Sequence, residues 1–142
     1  MARVRIELPN LFDFSTEIPV MVTDLVPGSH MGADRVLSLV LEAMARFLSD
    51  IGSTSRHRIE DVEFIMADAT TVYSSEARYG DVLNIEVAVR DFERTSCNFY
   101  YRLSNSDSGH EVARVKSGLL FFDYKQKKAQ PVPEAFRARF SK

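Results

Sequence analysis

The chain of 142 residues lacks the cysteine pattern of a disulfide-stabilised or metal-binding protein. Its single cysteine, Cys97, excludes an intrachain disulfide and fits a reducing compartment. No metal-ligating residues cluster around Cys97 in the sequence, so we predict that it is a small residue of the core. The sequence therefore implies neither a metal nor an organic cofactor.

Long apolar runs are missing as well. The first five residues lead into no apolar segment, so no signal peptide is predicted, and no apolar run is long enough to span a bilayer. The net charge of -2 gives no reason to expect nucleic acid or an anionic membrane as partner. We expect a cytoplasmic protein with one domain, residues 1–142, because no repeat, linker or low-complexity segment divides the chain.

The clearest pattern that is present is that of one long buried helix, from about Asp34 to Ile51. Apolar residues recur at helical spacing and cover most of the circumference, so other elements should wrap this helix. Asp34 is predicted to cap its first turn and Gly52 to end it. The narrow polar stripe of the helix consists of Arg35, Ser38, Glu42, Arg46 and Ser49.

The rest of the chain alternates with the period of two that is typical of β-strands. A strand is predicted from Phe14 to Thr23, with Ile18, Val20 and Val22 on one face. Four long strands follow the helix, and the last contains Leu119–Phe122, which is apolar on both faces like a central strand. This order predicts an α+β fold with an antiparallel sheet curled around one helix. Because the edge strands of such a sheet are exposed, we expect a homodimer, and dimers could pair into a homotetramer.

The stretch between the first strand and the helix, Thr23–Asp34, can present polar groups at the start of a buried helix. It contains a Pro-Gly turn and one histidine, His30. The free N–H groups near Gly32 and Ala33, together with the helix dipole, favour negative charge at this point. Gly32 could let a substrate carbonyl approach the backbone, or Gly28 and Gly32 could simply shape the turn.

This stretch, the long helix carrying Glu42, and the Tyr79-Gly80-Asp81 turn together resemble the hotdog-fold acyl-CoA thioesterases of the 4-hydroxybenzoyl-CoA thioesterase type. The resemblance runs from about Ile18 to Pro133. It implies a hotdog fold and hydrolysis of an acyl-CoA thioester at the N-terminus of the central helix. An acyl-CoA substrate is thus the expected partner, besides a second copy of the chain.

The family motif is matched in part. Its commonest form has two aspartates before the histidine, and the second is the usual catalytic acid. Aligned on His30, the first aspartate is Asp24 and the second is Val26, which can neither activate water nor attack a thioester. A related branch of the family is closer, although Val26 and Ala33 stand where it has asparagines. The residues that match this branch are Asp24, Gly28, His30, Gly32 and Asp34.

Thioester hydrolysis needs a group that stabilises an oxyanion and a carboxylate that attacks or positions water. Glu42 is the predicted carboxylate, although it could instead form an i,i+4 ion pair with Arg46. Asp24 is the other candidate for this carboxylate, and it could instead orient His30, bind the neighbouring subunit or cap a turn. His30 could donate to the thioester carbonyl, hold water, or be a structural histidine. The predicted substrate-binding residues are Gly32, Ala33, Asp34 and Ser38.

Two other functions fit the same fold. Val26 and Ala33 would suit a catalytically weak protein that binds an acyl-CoA, an acyl carrier or another apolar ligand. A hotdog dehydratase is a third hypothesis, but such an enzyme usually needs a histidine with an acid on the helix, and His30 precedes the helix. Basic residues in the segment Arg56–Arg58 could meet the phosphates of coenzyme A or belong to a solvated loop.

Overall fold

One antiparallel sheet and one long helix form the body of the protein. The computed structural model describes residues 2–55 and 57–141. In chain order the elements are β1 (Phe14–Pro19), a 3₁₀ turn (Val22–Asp24), α1 (Arg35–Asp50), β2 (Arg58–Ile59), β3 (Val62–Tyr73), β4 (Val82–Arg90), β5 (Ser96–Asn105), β6 (Glu111–Asp123), β7 (Lys128–Ala129) and α2 (Glu134–Phe140). The strand order in the sheet is β1-β4-β5-β6-β3-β2, with β7 paired to β6. The predicted α+β architecture is confirmed.

The helix α1 packs its apolar face on the inner face of the sheet. Phe47 is the centre of this contact, with its ring centroid 5.6 Å from that of Phe14, 5.9 Å from that of Phe99 and 5.4 Å from that of Phe140. Leu41, beside the polar stripe, is 43% exposed, so a single chain covers α1 on one side only. Among the described residues, no helix is long and apolar enough to cross a membrane. The buried residues of α1 are Val36, Leu39, Val40, Ala43, Met44, Phe47 and Leu48.

The sequence predicted the C-terminal end of α1 correctly but predicted a capping hydrogen bond at its N-terminal end that does not form. Gly52 ends the helix as expected, with φ of +93° and an N–H that donates to the Ser49 carbonyl at 3.1 Å. Asp34 lies at the N-cap position, but its predicted capping hydrogen bond is wrong. Its backbone is already helical, and its Oδ1 atom lies over Gly32 instead of reaching the first turn.

The strand β1 ends four residues earlier than predicted, at Pro19. The Val20 N–H still donates to the Asp81 carbonyl at 2.8 Å, and the chain then enters the 3₁₀ turn. This turn is closed by the Asp24 carboxylate, whose Oδ2 accepts the Met21 N–H at 2.8 Å. Val22 is consequently 68% exposed rather than on the buried face with Ile18.

The outer edge of β3 is largely unpaired within the described part of the chain. β3 pairs with β6 along one side, whereas only Val62 and Glu63 pair with β2 on the other. The Ser74 N–H donates to Val112 at 2.8 Å, which fixes the phase of the β3–β6 ladder. In that phase, the N–H groups of Ala69 and Thr71 point to the open edge. This edge is therefore a template for another strand.

Candidate functional site

A cavity of about 310 Å³ opens at the start of α1. It lies between the predicted Thr23–Asp34 stretch and the segment that follows β3. Four buried apolar residues form part of its wall, while serine, histidine and glutamate side chains supply polar groups. We call it the His30 cavity. Its lining residues are His30–Ala33, Val36, Tyr73–Ala77 and Val112.

A short antiparallel bridge joins the two sides of the His30 cavity. His30 pairs with Arg78, and the Met31 N–H donates to the Ala77 carbonyl at 2.7 Å. Side chains alternate across such a bridge, and Met31 and Ala77 are indeed the buried pair. The same alternation puts Glu76 on the face of His30, as its diagonal neighbour. The bridge thus brings a histidine and a carboxylate to one face of the cavity.

The tautomer of His30 follows from its hydrogen bond. The Nδ1 atom lies 3.1 Å from the Met31 carbonyl oxygen, which can only accept, so Nδ1 carries the proton. In the neutral ring, Nε2 is then an acceptor. Gly28, with φ of +107°, lies beside the ring, and a Cβ there would be 3.9 Å from Nε2. The Nε2 atom can therefore accept a hydrogen bond from a water molecule.

The N–H groups beside the cavity at the start of α1 differ in their hydrogen bonding. The Gly32 N–H donates to the Asp24 carbonyl at 2.9 Å, so the expectation that it is free is wrong. The Ala33 N–H, in contrast, donates to no other residue in the described ranges. Tyr73 is held here as well, since its hydroxyl donates to the Ala33 carbonyl at 2.9 Å. Ala33 is thus the residue whose backbone can receive negative charge near the helix start.

Val26 fills the space next to the helix start. A Cβ atom built on Gly32 would lie 2.8 Å from Val26 Cγ1 and 2.5 Å from Asp34 Oδ1, both closer than real Cβ contacts. A side chain at position 32 would therefore require Val26 and Asp34 to move. Val26 stands at the position that usually carries the catalytic acid in the family that the sequence resembles. Its methyl groups therefore occupy the region next to Gly32.

We expect Gly32→Ala to lower the free energy of unfolding by about 1–3 kcal/mol, as overpacking does in a tight site. Chemical denaturation monitored by circular dichroism measures this change. Val26→Ala alone and the Val26→Ala/Gly32→Ala pair complete the cycle. The double variant should regain part of the loss, because the conflicting Cγ1 is gone. A Gly32→Ala protein as stable as the wild type would contradict the packing argument.

Asp24 has a structural position. Its side chain is buried, accepts the Met21 N–H and closes the 3₁₀ turn, while its carbonyl holds Gly32. It does not belong to the lining of the His30 cavity. Asp24 therefore fixes the path of the backbone that leads to His30.

Glu42 lies on the exposed surface of α1. Its Oε2 accepts from Arg46 Nε at 2.9 Å, and Arg46 in turn donates to Thr16 Oγ1 at 2.9 Å on β1. Glu42 is eight residues beyond Asp34, or about 12 Å along the helix axis, and it is not part of the cavity lining. Of the predicted residues, His30, Gly32 and Ala33 meet in the cavity. The predicted residues outside its lining are Asp24, Asp34, Ser38 and Glu42.

Glu76 was not predicted from the sequence. Among the described residues, it is the only carboxylate in the lining of the His30 cavity. Its Oε2 lies 3.3 Å from an Arg78 guanidinium nitrogen, and both side chains are largely exposed. The sequence did give one signal for Glu76. It lies just before the Tyr79-Gly80-Asp81 turn, which is part of the resemblance to the thioesterases.

A larger polar cavity, of about 500 Å³, lies on the outer face of the sheet near the β5–β6 hairpin. Its lining holds three carboxylates, each with a hydrogen-bond donor, but neither a histidine nor a helix start, so it lacks the combination of groups that lines the His30 cavity. The donor pairs are Ser106 to Glu17, Arg102 to Glu86 and Arg114 to Glu111.

The basic segment proposed for coenzyme A phosphates lies beyond the other end of α1. Arg56 is outside the described residues. Arg58 lies 3.9 Å from Glu63, and His57 Nδ1 lies 3.1 Å from Ser55 Oγ. Both basic side chains therefore make local contacts. They lie beyond the C-terminal end of α1, whereas the His30 cavity lies at its start.

Comparison with known proteins gives the family. The model of the thioesterase-like superfamily matches residues 20–140. No curated protein matches the sequence significantly. Many solved structures share the fold, and three of them are compared with this chain by identity, TM-score and the shares of this chain and of that chain covered. A 1,4-dihydroxy-2-naphthoyl-CoA thioesterase from Synechocystis has 19% identity, a TM-score of 0.81 and coverages of 89% and 94%. A thioesterase from Thermus thermophilus complexed with coenzyme A and Zn has 22%, 0.77, 91% and 98%, and a Staphylococcus aureus protein in complex with CoA has 16%, 0.79, 94% and 85%. The chain is a hotdog-fold member of the thioesterase-like superfamily.

Proposed function

We propose that this protein hydrolyses acyl-CoA thioesters in the His30 cavity. The observation that carries the proposal is that His30 and Ala33, whose N–H has no acceptor among the described residues, both line this cavity at the start of α1. One group can hold a water molecule and the other can receive a developing negative charge. Thioester hydrolysis requires both functions at one point.

The proposed geometry places the acyl group on the apolar wall of the cavity, against Met31 and Val112. The thioester oxygen points at Ala33 N–H, where the helix dipole also stabilises negative charge. His30 accepts a hydrogen bond from the attacking water and orients it toward the thioester carbon.

Coenzyme A is the proposed carrier because two of the similar structures, from Thermus thermophilus and Staphylococcus aureus, were solved with it. We also propose a homodimer formed through the open edge of β3. Tyr73, at the end of β3, lines the His30 cavity. A second copy paired to this edge would therefore stand next to the substrate.

The test is release of free thiol from a panel of acyl-CoAs of different length and aromaticity. The wild type is expected to release thiol, and His30→Ala is expected to lower kcat/KM at least about tenfold, within the range of a positioned water-binding group. His110→Ala is the matched control, because His110 is exposed in the β5–β6 hairpin outside the cavity. Equal losses in both variants, or no thiol release by the wild type, would contradict the proposal.

One observation favours a second function, binding without hydrolysis. Val26 places methyl groups where the usual acid of the family would act, next to Gly32. A protein of this kind would bind acyl-CoAs, measured by calorimetry, and release no thiol from any of them. The same panel therefore separates the two functions.

A further inference from the structure

We propose that Glu76 is the general base that activates water in the His30 cavity, an assignment that rests on the hydrolysis proposed above. The sequence suggested three positions for a carboxylate: Asp24, Glu42 and the family position now held by Val26. The chain instead presents Glu76 from the segment after β3. The substrate class stays the same, but the acid comes from the opposite wall of the cavity.

The first support is the register of the His30–Arg78 bridge. Continuing that register by two residues sets Glu76 across from Gly32, at the start of α1. The burial pattern agrees, because Ala77 is buried while Glu76 and Arg78 are exposed on either side of it. Glu76 and His30 therefore share a face as diagonal neighbours, a separation that long side chains span.

The second support is the position of the other acids. Asp24 is buried and occupied by the Met21 N–H, and Glu42 is paired with Arg46 on the outer side of α1. Asp34 lies over Gly32 and does not line the cavity. Among the residues that the structure describes, only Glu76 brings a carboxylate to the cavity wall.

The third support is the way in which Glu76 is held. Arg78 lies two residues along the same segment and is the bridge partner of His30, so the ion pair holds the Glu76 carboxylate next to the residue that faces the histidine. Arg78 engages one carboxylate oxygen, Oε2. The other oxygen, Oε1, can therefore accept a proton from water.

The proposed reaction uses only water and the thioester. A water molecule held by His30 Nε2 attacks the carbonyl carbon, and Glu76 takes the proton that the water loses. The oxyanion forms at the Ala33 N–H. It collapses with cleavage of the carbon–sulfur bond, and the proton passes from Glu76 to the thiolate. The products are a carboxylic acid and free coenzyme A.

The experiment compares Glu76→Gln with the wild type in steady-state hydrolysis of the best acyl-CoA of the panel. We expect kcat to fall at least about 100-fold with KM changed less than about threefold, because a general base contributes roughly 10²–10⁴-fold. Glu76→Asp, which keeps the carboxylate, should retain more activity than Glu76→Gln. Thermal melting checks that both variants fold, as expected for an exposed position.

Glu42→Gln is the matched control, since Glu42 is also an exposed glutamate paired with an arginine. It should retain activity within about threefold of the wild type. If Glu76→Gln hydrolyses the substrate as the wild type does, or if only Glu42→Gln is impaired, the assignment to Glu76 is overturned while hydrolysis stands. If the wild type releases no thiol from any acyl-CoA, the proposed function fails and the assignment fails with it.

Discussion

Replacing Phe47 by alanine is expected to lower the free energy of unfolding by about 3–5 kcal/mol, the cost of removing a buried aromatic side chain. Phe47 is 1% exposed and contacts rings from three separate parts of the chain, on β1, β5 and α2. The surrounding strands cannot collapse into the space because their own backbone is fixed in the sheet. Equilibrium unfolding in guanidinium chloride measures the difference.

Leu41→Ala provides the control for Phe47→Ala on the same helix. Leu41 is 43% exposed, and truncating it should change the free energy of unfolding by less than about 1 kcal/mol. Similar losses in the two variants would mean that the aromatic cluster is not the centre of the core. A strong effect of Leu41→Ala alone would point instead to a partner that covers this side of α1.

The second large effect is expected at the open edge of β3. Ala69→Pro removes an N–H that points outward and puts a ring on the edge, so a strand of another copy can no longer pair there. The pairing with β6 is retained, because the Ala69 N–H does not belong to that ladder. We expect dimerisation to weaken at least about tenfold, since each lost hydrogen bond is worth about 1 kcal/mol and several are lost together.

Light scattering coupled to gel filtration measures the dimer of Ala69→Pro over a range of concentrations. Ala69→Ser, which keeps the N–H on the exposed strand, should remain dimeric like the wild type. A dimer that survives in Ala69→Pro would place the interface elsewhere, and a monomeric wild type would contradict the proposed assembly. If Ala69→Pro loses hydrolysis together with dimerisation, this would support the idea that a second copy of the chain forms part of the wall of the His30 cavity.

Much of the fold was predictable because local patterns and tertiary packing agree. The helical spacing from Val36 to Leu48 marks the face that α1 buries, and Gly52 marks its end. The extent of β1 was not predictable by alternation alone. Val22 continues the period of two, but a hydrogen bond from the Met21 N–H to the Asp24 carboxylate stabilises a turn instead.

Only one wall of the candidate site, the one formed by the stretch around His30, was predictable from the sequence. The stretch around His30 carries turn residues next to a helix start, and these signals lie close together in the sequence. Glu76 is brought to the same cavity by a bridge between distant segments, which no local pattern reports. Glu42, in contrast, was selected for its place on the polar stripe, and the same stripe is where an i,i+4 ion pair forms with Arg46.

The bridge between Met31 and Ala77 also has a consequence for motion. It joins two segments outside the long strands, through an isolated bridge and the hydrogen bond from the Met31 N–H to the Ala77 carbonyl. Local opening of such an isolated bridge requires much less free energy than global unfolding. The amide hydrogen of Met31 should therefore exchange with solvent sooner than amides in the middle of β5. Substrate could enter through this fluctuation while α1 and the sheet stay intact.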